Sequence, residues 1–499
     1  MSLSSALSSR FGSDAAQPRR PSAILAVIAL GYLMIVLDTT IVNVALPSIQ
    51  VDLHFSPTSL AWVLNGYFLS FGGLILLAGR AGDVFGRRRV FMIGVGVFAT
   101  ASLLAGLAPS AEILIAMRVV QGAGAAMIAP NTMALLAANF AEGPTRNRAL
   151  SVYSAVALTG GSIGLLIGGV LATWATWRWT MFAVVPVGLA IIALAPRLLE
   201  ETERRAGRFD LGGAITSTLG MGALVYGLIR AGAVGWTSEV WAELAVGGML
   251  LAVFVAIEAR AGQPIVPLRL FARRQRTGAY VNIVLLTSAM FGTFFLLTQF
   301  LQSVRGFGPF EAGLAFLPQT GSAFVAVRLA PRVVARFGLR LPMIVGAALV
   351  ATGMTLLSQL APGSSYFPNI VVPIMLLGAG LGSSFLPLNA TILAGIEPSE
   401  AGAASGVAQA MQWVGGSLGI SVLVTVFGAN AHSATAGVVD AAAFTAGATS
   451  AFGVAAMFVA AAFTVAVLVL RTGARDRVGA EHRLVRPESS MPTLEIDLA

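Results

Sequence analysis

Apolar residues fill this chain in long, nearly unbroken runs, and the polar residues gather in the short stretches between them. Fourteen runs are long enough to cross a bilayer: residues 22–46, 58–79, 90–108, 112–138, 148–172, 177–198, 211–230, 239–259, 278–302, 311–330, 341–361, 369–395, 402–428 and 447–470. A span needs about 20 helical residues, so the pattern predicts an all-α membrane protein with fourteen transmembrane helices. The first run breaks its own rule, because the stretch LDTTIVNVALPSI from Leu37 to Ile49 carries an acid, Asp38. An acid at mid-membrane costs roughly 2.5–3.5 kcal/mol or more, which makes Asp38 a candidate functional residue. The plain alternative is a hydrogen-bonded Asp inside a helix bundle.

Composition agrees with the pattern. Of 499 residues, 57% are hydrophobic and 11% charged, and the mean hydropathy is +0.84. There is no cysteine, which excludes disulfides, thiolate metal sites and thiol nucleophiles. Every basic residue is Arg, which excludes Schiff-base chemistry and a P-loop lysine. His54, His432 and His482 lie outside the runs and far apart, so no metal and no cofactor is expected.

The formal charge of +9 raises the question of nucleic acid, and the placement of the arginines answers it. Arg80, Arg87 to Arg89, Arg146, Arg148, Arg204, Arg205, Arg208, Arg269, Arg273, Arg274, Arg276, Arg332, Arg336 and Arg340 fall in alternate loops. The intervening loops hold only Arg178, Arg230 and Arg305. That asymmetry is a topology signal and not a nucleic-acid surface, and it puts both termini in the cytoplasm. Residues 1–21 and 471–499 are then cytoplasmic tails of a multi-pass protein of the cell membrane, whose surroundings are lipid.

Short motifs recur after about 250 residues. GGSIG at 160–164 returns as GGSLG at 415–419, GAG at 122–124 as GAG at 378–380, and RAGDVFG at 80–86 as RVVARFG at 332–338. A common offset implies a duplicated bundle. Its halves are expected at 22–200 and 277–470, with residues 201–276 contributing an inserted pair of helices.

LDTTIVNVALP, GRAGDVFGRRR (79–89), RVVQGAGAAMIAP (118–130), the glycine run of the fifth segment and WRWTMFAVVPVG (177–188) together resemble the major facilitator superfamily, in particular its fourteen-helix drug:proton antiporters. The resemblance covers nearly the whole chain. It departs at Leu165, where the family pattern has Pro, and at Val185, where it usually has Asn. What it implies is a proton-coupled exporter of hydrophobic, neutral or monocationic small molecules, expected to act as a monomer. Uptake by proton symport and lipid translocation are the rival readings. No cluster of His, Cys or paired acids suggests an enzyme.

Asp38 and Arg118 reach similar depths on the first and fourth helices at 1.5 Å per residue. Facing one cavity, they form a candidate proton-coupling pair, since moving a guanidinium near a carboxylate changes its proton affinity. A permanent ion pair between the helices is the plain alternative. Gln121, on the face of Arg118, can hydrogen-bond substrate or Arg118, with a satisfied packing polar as the alternative; Thr39, Asn43 and Asn131 are further candidate cavity residues, with interhelical hydrogen bonding as the alternative for Thr39 and Asn43.

The family uses the stretch holding Gly79, Arg80, Asp83, Gly86 and Arg87 as a cytoplasmic latch. Here Asp83 can hydrogen-bond Arg87 or cap a helix N-terminus, and the expected partners across the halves are Glu397 and Glu400, with Asp83 at the start of the thirteenth helix and Arg87 to Arg89 beside the glutamates. Gly160, Gly164 and Gly168, with Gly169, make a flat strip for close packing, which exporters of this family place between the halves. Trp174, Trp177 and Trp179 are expected in an interfacial belt, and the Met and Phe residues of the fourth, ninth and twelfth segments in an adaptable cavity wall.

Overall fold

The computed structural model describes residues 21–469 apart from 142, 203, 205–209, 263, 398–399 and 432–439. Both tails, Arg205, Arg208, His432 and His482 therefore lie outside the described residues. The helices are α1 (Pro21–Asp52), α2 (Trp62–Phe85), α3 (Arg87–Gly106), α4 (Ala111–Asn139), α5 (Pro144–Trp174), α6 (Trp177–Phe182), α7 (Val185–Leu198), α8 (Leu211–Val234), α9 (Ser238–Arg260), α10 (Arg274–Gln299), α11 (Pro309–Ala315), α12 (Leu317–Phe337), α13 (Arg340–Leu357), α14 (Val371–Leu393), α15 (Ala401–Asn430) and α16 (Ala441–Leu468).

Among the described residues, thirteen helical stretches are long and apolar enough to cross a membrane. The tenth run is the exception. It divides into α11 and α12, and α12 carries Arg328, Arg332 and Arg336, which lower its hydropathy without stopping it from packing along α14. Likewise α6 and α7 share one run, broken just before Pro186.

The repeat seen in the sequence is a repeat of contacts. In the first half α4 lies on α2 and α3 and α5 lies on α1; in the second, α14 lies on α12 and α13 and α15 lies on α10. Glycines set these approaches. A β-carbon on Gly122 would come within 2.4 Å of the Tyr67 carbonyl, and one on Gly378 within 2.0 Å of the Gln319 carbonyl. Gly124 and Gly380 press in the same way on Phe98 and Gly346. Both ends of the RAGDVFG echo are helix stops: Gly86 and Gly338 take φ of 100° and 76°, a backbone region that other residues rarely enter.

The glycine strip packs differently from the expectation. Gly160, Gly164 and Gly168 lie on Leu33, Thr40 and Ile41 of α1, inside one half. Gly169, one residue further round the helix, is the position that meets the other half, at Phe310 of α11. Gly313 returns the contact against the Leu165 carbonyl, so the Leu that replaces the family's Pro is itself part of this seam.

The inserted α8 and α9 pack on each other, and α8 also lies on both α2 and α15, one from each half. Gly232 and Gly428 bring the backbones of α8 and α15 together, and Arg230 of α8 pairs with Glu239 and Glu243 of α9.

Candidate functional site

Asp38 of α1 is reached by two side chains of α4. Its Oδ2 accepts from Arg118 Nη1 at 2.6 Å and its Oδ1 from Gln121 Nε2 at 2.7 Å. Arg118 and Gln121 are one turn apart on α4, so they present a fork to the carboxylate. Arg118 Nη1 also donates to Gln121 Oε1 at 2.7 Å, its Nε donates to the Val63 carbonyl at 2.9 Å, and its guanidinium lies 4.5 Å from the ring centre of Tyr67. Ser102 joins from α3, accepting from Gln121 Nε2 at 3.2 Å and donating to the Met181 carbonyl. Charged hydrogen bonds of this kind are stronger than neutral ones, and in a dry site each matters more.

The group is sealed. Asp38 is 1% exposed, and Arg118 and Gln121 are fully buried. The expectation that Asp38 and Arg118 face the cavity therefore needs correction: they face each other, and the cavity begins nearer the arginine-rich end. It encloses about 1220 Å³ and is lined by Leu76, Gly79, Arg80 and Asp83 of α2, Arg87 at the start of α3, Pro130 and Met133 of α4, Asp210, Arg269, and Ala401 and Gln409 of α15. Both halves contribute to this wall.

Thr39, Asn43 and Asn131 do not line this cavity. Asn43 donates to Thr298 Oγ1 at 2.6 Å, a bond between the halves. Asn131 is buried, donates to the Met127 carbonyl at 2.8 Å, and sets its Oδ1 where a β-carbon on Gly82 would fall. The Thr39 hydroxyl is turned back on the Val36 carbonyl of its own helix. Of the Met and Phe residues expected in the wall, Met133 is there, whereas Met290 and Phe294 face a small void of about 10 Å³ in the second half.

Of the latch residues, Gly79, Arg80, Asp83 and Arg87 line the cavity. Arg87 pairs with Asp83, one turn away. The backbone N–H groups of Arg88 and Arg89 donate to Glu201 at 3.0 and 3.2 Å, and that of Arg87 to Thr202 Oγ1, so residues 201 and 202 cap the start of α3. Glu400 is held by Arg269, and Glu397 is exposed. Among the described residues no ion pair joins Arg87, Arg88 or Arg89 to the two glutamates; Arg87 holds Asp83, and Arg88 Nε lies 3.8 Å from Glu201.

Several site residues carried no signal along the chain. Glu201 lies in an ordinary polar loop, and Tyr67 and Ser102 read as packing residues. Asn65 bridges the halves through Ser417 and Ser421, at 2.9 and 3.1 Å. The tryptophans divide: Trp174 and Trp179 are exposed, as a boundary belt requires, but Trp177 is buried and donates to Asp52 at 2.8 Å, with Arg178 stacked upon it.

A family model described as Major Facilitator Superfamily matches residues 28–420 of this chain. The chain belongs to the major facilitator superfamily. Within it, the chain is 39% identical to the cephamycin export protein CmcT of Amycolatopsis lactamdurans, over 83% of this chain and 86% of that protein. It is 40% identical to the puromycin resistance protein pur8 of Streptomyces alboniger, over 82% of each. Among solved structures, a bacterial homologue of the human lysosomal transporter Spinster, in an inward-facing and unoccupied conformation, superposes with a TM-score of 0.64 at 18% identity, covering 91% of this chain and 97% of that one. The nucleoside transporter NupG, as its D323A mutant, gives 0.64 at 12% identity, covering 90% and 100%. At these identities the likeness is one of fold.

Proposed function

We propose that this superfamily member is a transporter, not an enzyme, that exports hydrophobic, neutral or monocationic small molecules, antibiotics among them, in exchange for protons. The observation that carries the reading is the buried Asp38–Arg118–Gln121 group, an ionisable cluster in an apolar bundle beside a cavity built by both halves. Cargo of this class is supported by the relatives named for cephamycin export and puromycin resistance.

In this reading the arginine-rich end is cytoplasmic and the protein lies in the cell membrane. The cavity then opens inward, while Asn43 with Thr298, Asn65 with Ser417 and Gly169 with Phe310 hold the opposite side shut. Alternating access follows from rocking the halves about these contacts. When Asp38 takes a proton, its attraction to Arg118 falls, and the fork on α4 is released from α1. When Arg118 returns, the proton is expelled. A proton moving inward gains about 2.3 kcal/mol per 100 mV and about 1.4 kcal/mol per pH unit. Exchange of one proton for a monovalent cation cancels the voltage and leaves the pH gradient as the drive.

The test uses inverted membrane vesicles and puromycin. An imposed pH gradient, acid inside, drives puromycin into the vesicles, and Asp38→Asn abolishes that accumulation. Gradient-driven accumulation by Asp38→Asn at the wild-type rate would exclude Asp38 as the carrier. Puromycin moving in the same direction as the proton would make the protein an uptake symporter.

A further inference from the structure

Two acids apart from the Asp38 group meet where the inserted pair reaches the cavity. Asp210 stands at the start of α8 and lines the cavity, and Glu258 stands in the last turn of α9. Each is fastened by one carboxylate oxygen. Asp210 Oδ1 accepts from the Gly213 N–H at 2.7 Å and so caps α8, while Glu258 Oε2 accepts from the Val266 N–H at 3.1 Å. The second oxygens, Asp210 Oδ2 and Glu258 Oε1, are buried without a hydrogen-bond partner, and Glu258 as a whole is 3% exposed. They share one small gap, since a β-carbon on Gly213 would come within 2.7 Å of both.

Two buried acceptors on one gap lack a donor between them, and two carboxylates so placed repel. The charges around them do not supply one. Arg80, Asp83, Arg87 and Arg269 line the same cavity, Arg87 held by Asp83 and Arg269 by Glu400, and Arg260 ends α9. Neither unpartnered oxygen accepts from any of them. The cavity-lining residues of α15 are uncharged. Among the described residues no third acid, histidine or cysteine completes a metal-binding group, whereas a hard cation takes about six or more oxygens. A proton needs only the two.

We propose that Asp210 and Glu258 form a second proton-binding site, holding one proton between Glu258 Oε1 and Asp210 Oδ2. The helix ends decide where it rests. Negative charge is favoured at the start of a helix and disfavoured at its end, so the charge stays on Asp210 and the proton on Glu258. That proton comes from cavity water and returns to it, with no other bond changed. Val266, which Glu258 holds, lies between the cavity-lining Ile265 and Pro267. With the proton bound, the connection after α9 is tied to the start of α8 through the carboxyl pair; once it leaves, the two charges repel and the tie opens. The inserted helices thus give the cavity a wall whose fastening depends on pH.

The inference does not draw on Asp38 as the carrier, and Asp38→Asn keeps the two apart. Infrared spectra of the purified full-length protein are recorded against pH in sodium-free buffer. The wild type and Asp38→Asn are both expected to show a carboxylic-acid band at neutral pH, where a carboxyl in water is ionised. Glu258→Gln keeps a donor toward Asp210 and is expected to lose that band. Asp210→Asn removes the like charge and is expected to shift the band's titration to lower pH by about one unit or more. A band that survives Glu258→Gln and disappears in Asp38→Asn would belong to Asp38, overturning the second site and leaving the carrier reading intact. A titration unmoved by Asp210→Asn would overturn the sharing, and loss of the band on adding sodium chloride at fixed pH would make the pair a metal-cation site instead.

Discussion

At the scale of single residues the decisive contact is the ion pair of Asp38 and Arg118, and its energetics lie in what happens when one partner is lost. Taking both charges out of water is expensive, and their attraction with the Gln121 bonds returns much of that cost. Asp38→Asn strands a buried guanidinium and is expected to destabilise the protein by about 3–5 kcal/mol. The double variant Asp38→Asn with Arg118→Gln is expected to be more stable than Asp38→Asn alone, because no uncompensated charge remains. Thermal unfolding of detergent-solubilised protein checks the order, and a double variant less stable than both single ones would show that the pair is needed for packing. Gln121→Leu removes one acceptor and one donor and leaves the ions in place, so the expected loss is smaller, about 1–3 kcal/mol.

At the scale of helices, small residues decide how closely elements approach. A β-carbon on Gly419 would come within 2.1 Å of the Ser288 carbonyl of α10, whereas nothing lies within 4 Å of one on Gly248 of α9. Gly419→Ala is accordingly expected to cost about 1–3 kcal/mol through overpacking. Gly248→Ala is expected to be neutral or slightly stabilising, by up to about 1 kcal/mol, through helix propensity. Equal shifts in unfolding temperature would deny that the α10–α15 approach is tight. The same reasoning explains why the glycine strip of α5 was misplaced. A row of glycines at intervals of four marks a face that something approaches, and the spacing is silent about whether that neighbour is α1 or α11.

At the scale of the whole molecule the halves touch away from the arginine-rich end and part toward it. Thr173 Oγ1 accepts from the backbone N–H of Phe310 at 3.1 Å, across the seam of α5 and α11. The chain contains no cysteine, so Thr173→Cys with Phe310→Cys introduces a single possible disulfide. Oxidation of that pair is expected to lock the seam and stop puromycin transport, with recovery on reduction. Transport that continues through the locked seam would exclude rocking of the halves at this contact.

Much of this architecture was legible in the linear chain because lipid imposes one-dimensional rules. Hydropathy marks each crossing, loop arginines mark one end, a common offset marks the duplication, and an acid in an apolar run marks itself. The depth match of Asp38 and Arg118 also follows from helix rise alone. Tertiary structure decided which faces meet. It joined Gln121 to the Asp38 carboxylate, took Asn43 to Thr298 and Asn131 to the Met127 carbonyl, gave the α3 start to Glu201, and sent Glu400 to Arg269. The reason is geometric: a helix sequence states what each face offers, but the neighbour that covers the face depends on how the sixteen helices of the described residues, some far apart in the chain, fill space together.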